Sequence, residues 1–201
     1  MKTIFANLTR CIGCKSCEFA CAVEHSRSQN PVLAPFESPP PKTRIHVEPG
    51  RYLNSSFPNL CRHCNPAPCQ DACPTGAMAR NLEYHVVFAD PHKCIACAMC
   101  AMVCPFDAVT FHPNNTRQDQ PRVVAIKCDG CLDRLRQKKT PACVEACQTN
   151  ALVFGELNDL IKAGRMQQSP AAINPDPTSS DPAAGWRDWG IVAAAMAEKI
   201  A

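Results

Sequence analysis

The apolar positions of this chain fall in short clusters bounded by turn formers, a pattern of brief strands and tight loops rather than long amphipathic helices. Ala77-Met78-Ala79, Ala108-Val109-Thr110-Phe111 and Ala151-Leu152-Val153-Phe154 each read as a strand. Tyr84 to Ala89 and Arg122 to Ile126 read as two more, so two connections run strand, turn, strand, with Asn81 and Asn114-Asn115 supplying the turns. A further strand is expected at Thr43 to Val47, inside a segment from Asn30 to Asn59 that carries seven prolines. Proline fixes φ and removes a backbone donor, so most of that segment is expected as a surface excursion outside the core. Lys127, Arg134, Arg136, Lys138 and Lys139 suggest one or two helical turns with a solvated face, ended before Pro141. Toward the end, Gln167 to Asp181 reads as a linker, and Trp186 to Ile200 as a short apolar helix anchored by Trp186 and Trp189.

Between these strands lies cysteine, in four groups of four. They are Cys11, Cys14, Cys17 and Cys21; Cys61, Cys64, Cys69 and Cys73; Cys94, Cys97, Cys100 and Cys104; and Cys128, Cys131, Cys143 and Cys147. The repeat extends beyond the thiols, since C-P-T-G-A at Cys73, C-P-F-D-A at Cys104 and C-Q-T-N-A at Cys147 each open one of the strands. The third group is spaced C-x2-C-x2-C-x3-C-P, the bacterial iron–sulfur signature, in which three thiolates hold one [4Fe–4S] cube and the fourth reaches a neighbouring cluster. A cubane takes four thiolates, and sixteen cysteines make four sets with none left over.

The pairing rule of two-cluster ferredoxins joins the second and third groups, which both end in Cys-Pro. Cys61, Cys64, Cys69 and Cys104 then form one set, and Cys94, Cys97, Cys100 and Cys73 the next. The first and fourth groups pair around them, giving Cys11, Cys14, Cys17 with Cys147, and Cys128, Cys131, Cys143 with Cys21. The alternative pairs groups sequentially, one with two and three with four.

Composition narrows the class. Of 201 residues only 6% are aromatic and 19 are proline, so an ordinary apolar core is thin and bonds to a metal cofactor would replace it. Disulfides belong in oxidising compartments, yet Met1 to Arg10 has no apolar run or cleavage site, so the chain is expected in a reducing cytoplasm. No apolar stretch is long enough to span a bilayer, and any membrane association would come through partners. A formal charge of +3 suggests neither a nucleic-acid binder nor a polybasic anchor. A zinc-stabilised interaction module is the other class to weigh, because C-x2-C pairs also make tetrahedral zinc sites, but zinc explains the x2, x2, x3 runs poorly. His25, His63 and His92 lie near the thiols and read as outer hydrogen-bonding or surface residues. No phosphate loop, nucleophile elbow or zincin motif occurs, so no catalytic residue and no substrate site are expected.

The four groups in this order, with CIGCKSCEFACAVEHS from Cys11 and CRHCNPAPCQDACPTGAM from Cys61, resemble the four-cluster ferredoxin-like electron-transfer subunits of the dimethyl-sulfoxide-reductase beta-subunit class. The similarity runs from Met1 to Glu156 and is greatest to the short cytoplasmic members. It implies a chain that is not itself an enzyme and carries electrons from a catalytic subunit to a hydrogenase or other acceptor. Carbon monoxide dehydrogenase is the first choice of catalytic partner, on the CAVEHS segment; formate dehydrogenase and tungsten aldehyde oxidoreductase are alternatives. The family pairs the first group with the fourth and the second with the third.

The expected fold is α+β, with two ferredoxin-like halves, each binding two clusters. Residues 1–30 with 114–160 form an outer half, 31–60 a proline-rich insertion, 61–113 an inner half, and 161–201 a C-terminal extension. Anaerobically purified protein should be brown, with broad absorption near the visible edge; a colourless protein containing zinc would contradict the cluster reading.

Overall fold

The computed structural model describes residues 2–50, 56–113 and 122–163; the turn at Asn114-Asn115, the linker from Gln167 and the helix from Trp186 lie outside them. Met1–Phe154 form one compact unit. Of the second unit, Gly155–Ala201, residues 157–163 are helical, and the Leu160 side chain packs over Gly155.

The strands are β1 (Lys2–Ala6), β2 (Ile45–Pro49), β3 (Ser56–Leu60), β4 (Met78–Asn81), β5 (Val86–Ala89), β6 (Thr110–Pro113), β7 (Val123–Ile126) and β8 (Leu152–Glu156). They form two-stranded sheets β2–β3, β4–β5, β6–β7 and β1–β8. The first three are antiparallel, with Ile45 opposite Leu60, Met78 opposite Ala89 and Thr110 opposite Ile126. Each cysteine group therefore leaves one sheet and enters the next, and the β1–β8 pair joins the beginning of the unit to its end. The expected strands after the second, third and fourth groups are present within a residue or two.

Short helices fill the turns: α1 (Ser16–Glu24), α2 (Pro68–Asp71), α3 (Met99–Met102), α4 (Leu132–Arg136) and α5 (Ala142–Glu145). The fold is thus mixed α+β, built of short helices and small sheets around cysteines. α4 matches the expected basic turn. The nine-residue α1 was not expected, although Cys17 and Cys21 four residues apart lie on one helical face and are both buried.

Two apolar clusters form the interior. One holds Cys17, Cys21, Cys128 and Cys143 with Ile45, Val47, Leu60 and Leu152. The other holds Ala77, Met78, Cys94, Cys100, Val109, Val124 and Ala125, with Cys69, Cys73 and Cys104 packed against it. Helix packing follows the same division, α1 on α5 and α2 on α3. Thiol side chains here occupy core positions that aliphatic side chains would otherwise fill.

The proline-rich segment departs from expectation. Its strands β2 and β3 reach the core: Ile45, Val47 and Leu60 are buried, and Pro58 is buried opposite Val47. Proline is tolerated because a two-stranded sheet has only edge strands, which have spare backbone positions. The first half does remain at the surface, with Val32, Leu33 and Phe36 exposed and their loop tied by Asn30 Oδ1, which accepts from Val32 N at 2.8 Å.

Gly130 is a tight backbone position. Its φ is +69°, and a Cβ there would stand 2.8 Å from Val86 Cγ1. Gly130→Ala should cost about 2 kcal/mol from left-handed strain and crowding together, lowering the midpoint of anaerobic thermal unfolding by about 4–8 °C in a chain of this size. An unchanged midpoint would contradict the crowding.

Candidate metal centres

The loops that carry the thiols share one backbone device. Two residues after the first cysteine of every group the chain turns left-handed, at Gly13, His63, Ala96 and Gly130, with φ of 70°, 50°, 56° and 69°. At three of them the turn aims the amide back at that cysteine: His63 N, Ala96 N and Gly130 N each donate to Sγ of Cys61, Cys94 and Cys128 at 3.4 Å. Glycine makes this turn without strain at two of the positions; His63 and Ala96 hold it as non-glycine residues, a cost that packing must offset.

The last cysteine of each group is also hydrogen-bonded. Met78 N and Leu152 N donate to Cys73 and Cys147 at 3.4 Å, and Ala108 N to Cys104 at 3.5 Å, all from the entry to the following strand. Cys21 has no such strand behind it. Its amide donor is Arg44 N at 3.3 Å, delivered by the approach to β2. Amide hydrogens on sulfur favour the anionic, metal-bound form and tune its potential.

Two cavities gather the second and third groups. One is lined by Cys61, Cys64, Cys69 and Cys104. The other is lined by Cys94, Cys97, Cys100 and Cys73. Each takes three cysteines from one group and the last from the other. Around Cys143 the charges that act on its thiol are those of Cys128, Cys131, Cys21 and Cys17. Cys11 and Cys147 pack against the core cluster that contains Cys17, and Cys14 is exposed, with Sγ 3.4 Å from Ser16 Oγ.

The thiols fit a cation-bearing group. All sixteen are free. Burial pushes Cys143 and Cys128 far above the usual thiol range, Cys131 to about 12, and Cys17 and Cys100 to about 11. Such thiols ionise only when a cation takes the place of the proton. At Cys21, burial acts against ionisation but is outweighed by His25 and the Arg44 amide, and the net shift is downward.

The sulfur spacing bears on which metal. In a tetrahedral zinc site with bonds of about 2.3 Å, neighbouring sulfurs stand about 3.8 Å apart. Among the described residues, the one group of three or more donor atoms within 4.8 Å of one another is His25, Asp129 and Cys131; no three thiols approach so closely. The thiol sets are therefore too open for single zinc ions and suit a larger group held at its corners.

Asp129 and Arg44, which the sequence did not single out, tie the loops together with His25, one of the expected outer hydrogen-bonding residues. Asp129 accepts from Arg44 Nη1 at 2.5 Å and from His25 Nε2 at 3.2 Å. Burial works against a charged His25, yet its bonds to Asp129 and Cys21 raise it to about 10. His63 behaves oppositely: burial and the nearby Lys127 push it to about 3, and its Nδ1 accepts from Val87 N at 3.0 Å. His92 is exposed. Lys127, expected on a solvated face, is buried instead, because β7 ends there and turns the side chain inward among the loops.

Comparison with known proteins follows the same features. The 4Fe–4S dicluster domain family matches residues 54–157. An iron–sulfur protein of Rhodospirillum rubrum is 41% identical over 160 residues, covering 77% of this chain and 82% of its own. From Escherichia coli K12, the putative electron transport protein YsaA is 36% identical over 168 residues, 83% of this chain and 97% of its own. Electron transport protein HydN of the same organism is 37% identical over 167 residues, covering 78% and 89%.

Proposed function

From the premise that the chain belongs to the 4Fe–4S dicluster domain family as an electron-transfer iron–sulfur protein, we propose that it holds four [4Fe–4S] clusters and serves as the electron-carrying subunit of a larger oxidoreductase. The observation that carries this reading is the composition of the two cavities, each lined by three thiols of one group and the last thiol of the other. That composition supports the cross-ligation of two-cluster ferredoxins.

The four sets are Cys61, Cys64, Cys69 with Cys104; Cys94, Cys97, Cys100 with Cys73; Cys128, Cys131, Cys143 with Cys21; and Cys11, Cys14, Cys17 with Cys147. When bound, each cluster supplies a one-electron carrier. The chain's own residues hold it by thiolate, direct amide hydrogens to the sulfurs and keep water from the buried face. The two core clusters support a division into an inner and an outer half, but with other bounds than 61–113 against 1–30 and 114–160: β7, through Val124 and Ala125, joins the inner half, and β2–β3 the outer one.

No substrate chemistry is assigned to the chain, so its partners are a catalytic subunit and an electron acceptor such as a hydrogenase. Carbon monoxide dehydrogenase is the first choice for the catalytic subunit, on the CAVEHS segment at Cys21 to Ser26; formate dehydrogenase or a tungsten aldehyde oxidoreductase is the second. Sixteen free thiols suit a reducing cytoplasm, and no helix among the described residues is long and apolar enough to cross a membrane. Anaerobic capture from the native source, with nickel, molybdenum and tungsten analysis of the captured subunit, tests the partner; nickel is the expected metal, and molybdenum or tungsten would overturn the first choice.

Cross-ligation has its own test. Cys73→Ala should lose about four irons, and its electron paramagnetic resonance losses should match those of Cys97→Ala. Losses that match Cys64→Ala instead would refute the pairing.

A further inference from the structure

Lys127 stands where two of the thiol sets meet. It follows β7, precedes Cys128 in the chain, and its side chain lines the cavity of Cys61, Cys64, Cys69 and Cys104. The residue is only 3% exposed. Its ammonium donates to the carbonyl oxygen of Cys128 at 2.7 Å and to that of Val87.

A buried ammonium is costly unless an anion faces it. Two neutral carbonyls solvate the charge without neutralising it. Among the described residues no carboxylate forms an ion pair with Lys127. Asp129, two positions along, is already held by Arg44 at 2.5 Å and His25 at 3.2 Å. Two other basic side chains line that cavity: Arg62, whose guanidinium lies over the Phe57 and Phe106 rings, and His63, whose Nδ1 accepts a hydrogen bond from Val87 N and which adds no charge. It packs toward the Cys128 loop, where its Nε2 would lie 3.7 Å from a Cβ at Gly130. The anions left within reach are the thiolate sets themselves, and the Lys127 charge acts on both Cys69 and Cys128.

We propose that Lys127 is a positioning charge shared by two cluster sites, Cys61-Cys64-Cys69-Cys104 and Cys21-Cys128-Cys131-Cys143, and that it raises the reduction potential of both. The inference rests on the four-cluster reading above. Reduction adds one electron from the redox partner to a site, with no bond made or broken, so the site becomes more negative by one charge. A fixed positive charge in a low-dielectric gap stabilises the reduced form more than the oxidised one. Lys127 does not line the cavity of Cys73, Cys94, Cys97 and Cys100, and that site and the Cys14 site serve as internal controls. Pairing one cation with two sites also explains why this lysine lies buried while Lys138 and Lys139 of the same basic run are exposed.

The test is anaerobic redox titration of the purified, cluster-loaded chain, followed by electron paramagnetic resonance, with iron content measured in parallel. Lys127→Met and Lys127→Gln should keep the wild-type iron content and move two of the four reduction steps to lower potential, leaving two in place. Lys127→Arg, which keeps the charge, should restore them. Full iron content with all four steps unmoved in the neutral variants would overturn the proposal. Should neither neutral variant load fully, loss of these two clusters alone, repaired in Lys127→Arg, counts for the shared charge; loss of all four, or the same loss in Lys127→Arg, counts against it. A wild-type chain without four clusters would instead overturn the function proposed above, so the two failures are distinguishable.

Discussion

Everything in this fold depends on thiols that are buried and must also be charged. Cys17, Cys21, Cys128 and Cys143 occupy the centre of one apolar cluster, Cys94 and Cys100 that of the other. An aliphatic core gains from leaving water and asks nothing further. A thiol core gains little as thiolate, because burial opposes the charge, as the raised Cys128, Cys131 and Cys143 thiols show. The conflict is resolved by a cation-bearing group at the same place, so that folding and cofactor binding are one process. The chain's shortage of aromatic residues and the brevity of its strands and helices follow. Each element only has to deliver a loop to a metal site.

The same constraint accounts for the regular backbone. Four left-handed turns and the amide donors from strand entries repeat because each thiolate needs hydrogen-bond donors in a space without water. Where the repeat fails, the fold compensates. The first group ends inside α1 instead of running into a strand, and β2 approaches from the proline-rich segment to give Cys21 its amide through Arg44. Arg44, Asp129 and His25 then clamp that approach to the fourth group's loop.

Much of this was legible in the sequence, and what was not shares a physical cause. Spacing exposed the four cysteine groups because metal ligation is local in its three close positions, and the apolar runs after Cys73, Cys104 and Cys147 exposed β4, β6 and β8. The role of β2–β3 was hidden because proline content argues for surface, while the burial of Ile45 and Leu60 depends on what packs against them. Lys127 was hidden for the same reason. Its neighbours in sequence, Arg134, Arg136, Lys138 and Lys139, suggest a solvated face, and only the meeting of two loops distant in sequence turns it inward. α1 could have been found from the four-residue step between Cys17 and Cys21, which places both on one helical face.

On the proposed function, all sixteen thiols serve four cubanes in one chain. Iron and acid-labile sulfide analysis of anaerobically purified protein, against protein mass by amino-acid analysis, tests it most directly. Four cubanes require about sixteen irons and sixteen sulfides per chain. About eight of each would mean that only two cubanes are held, and would contradict the account.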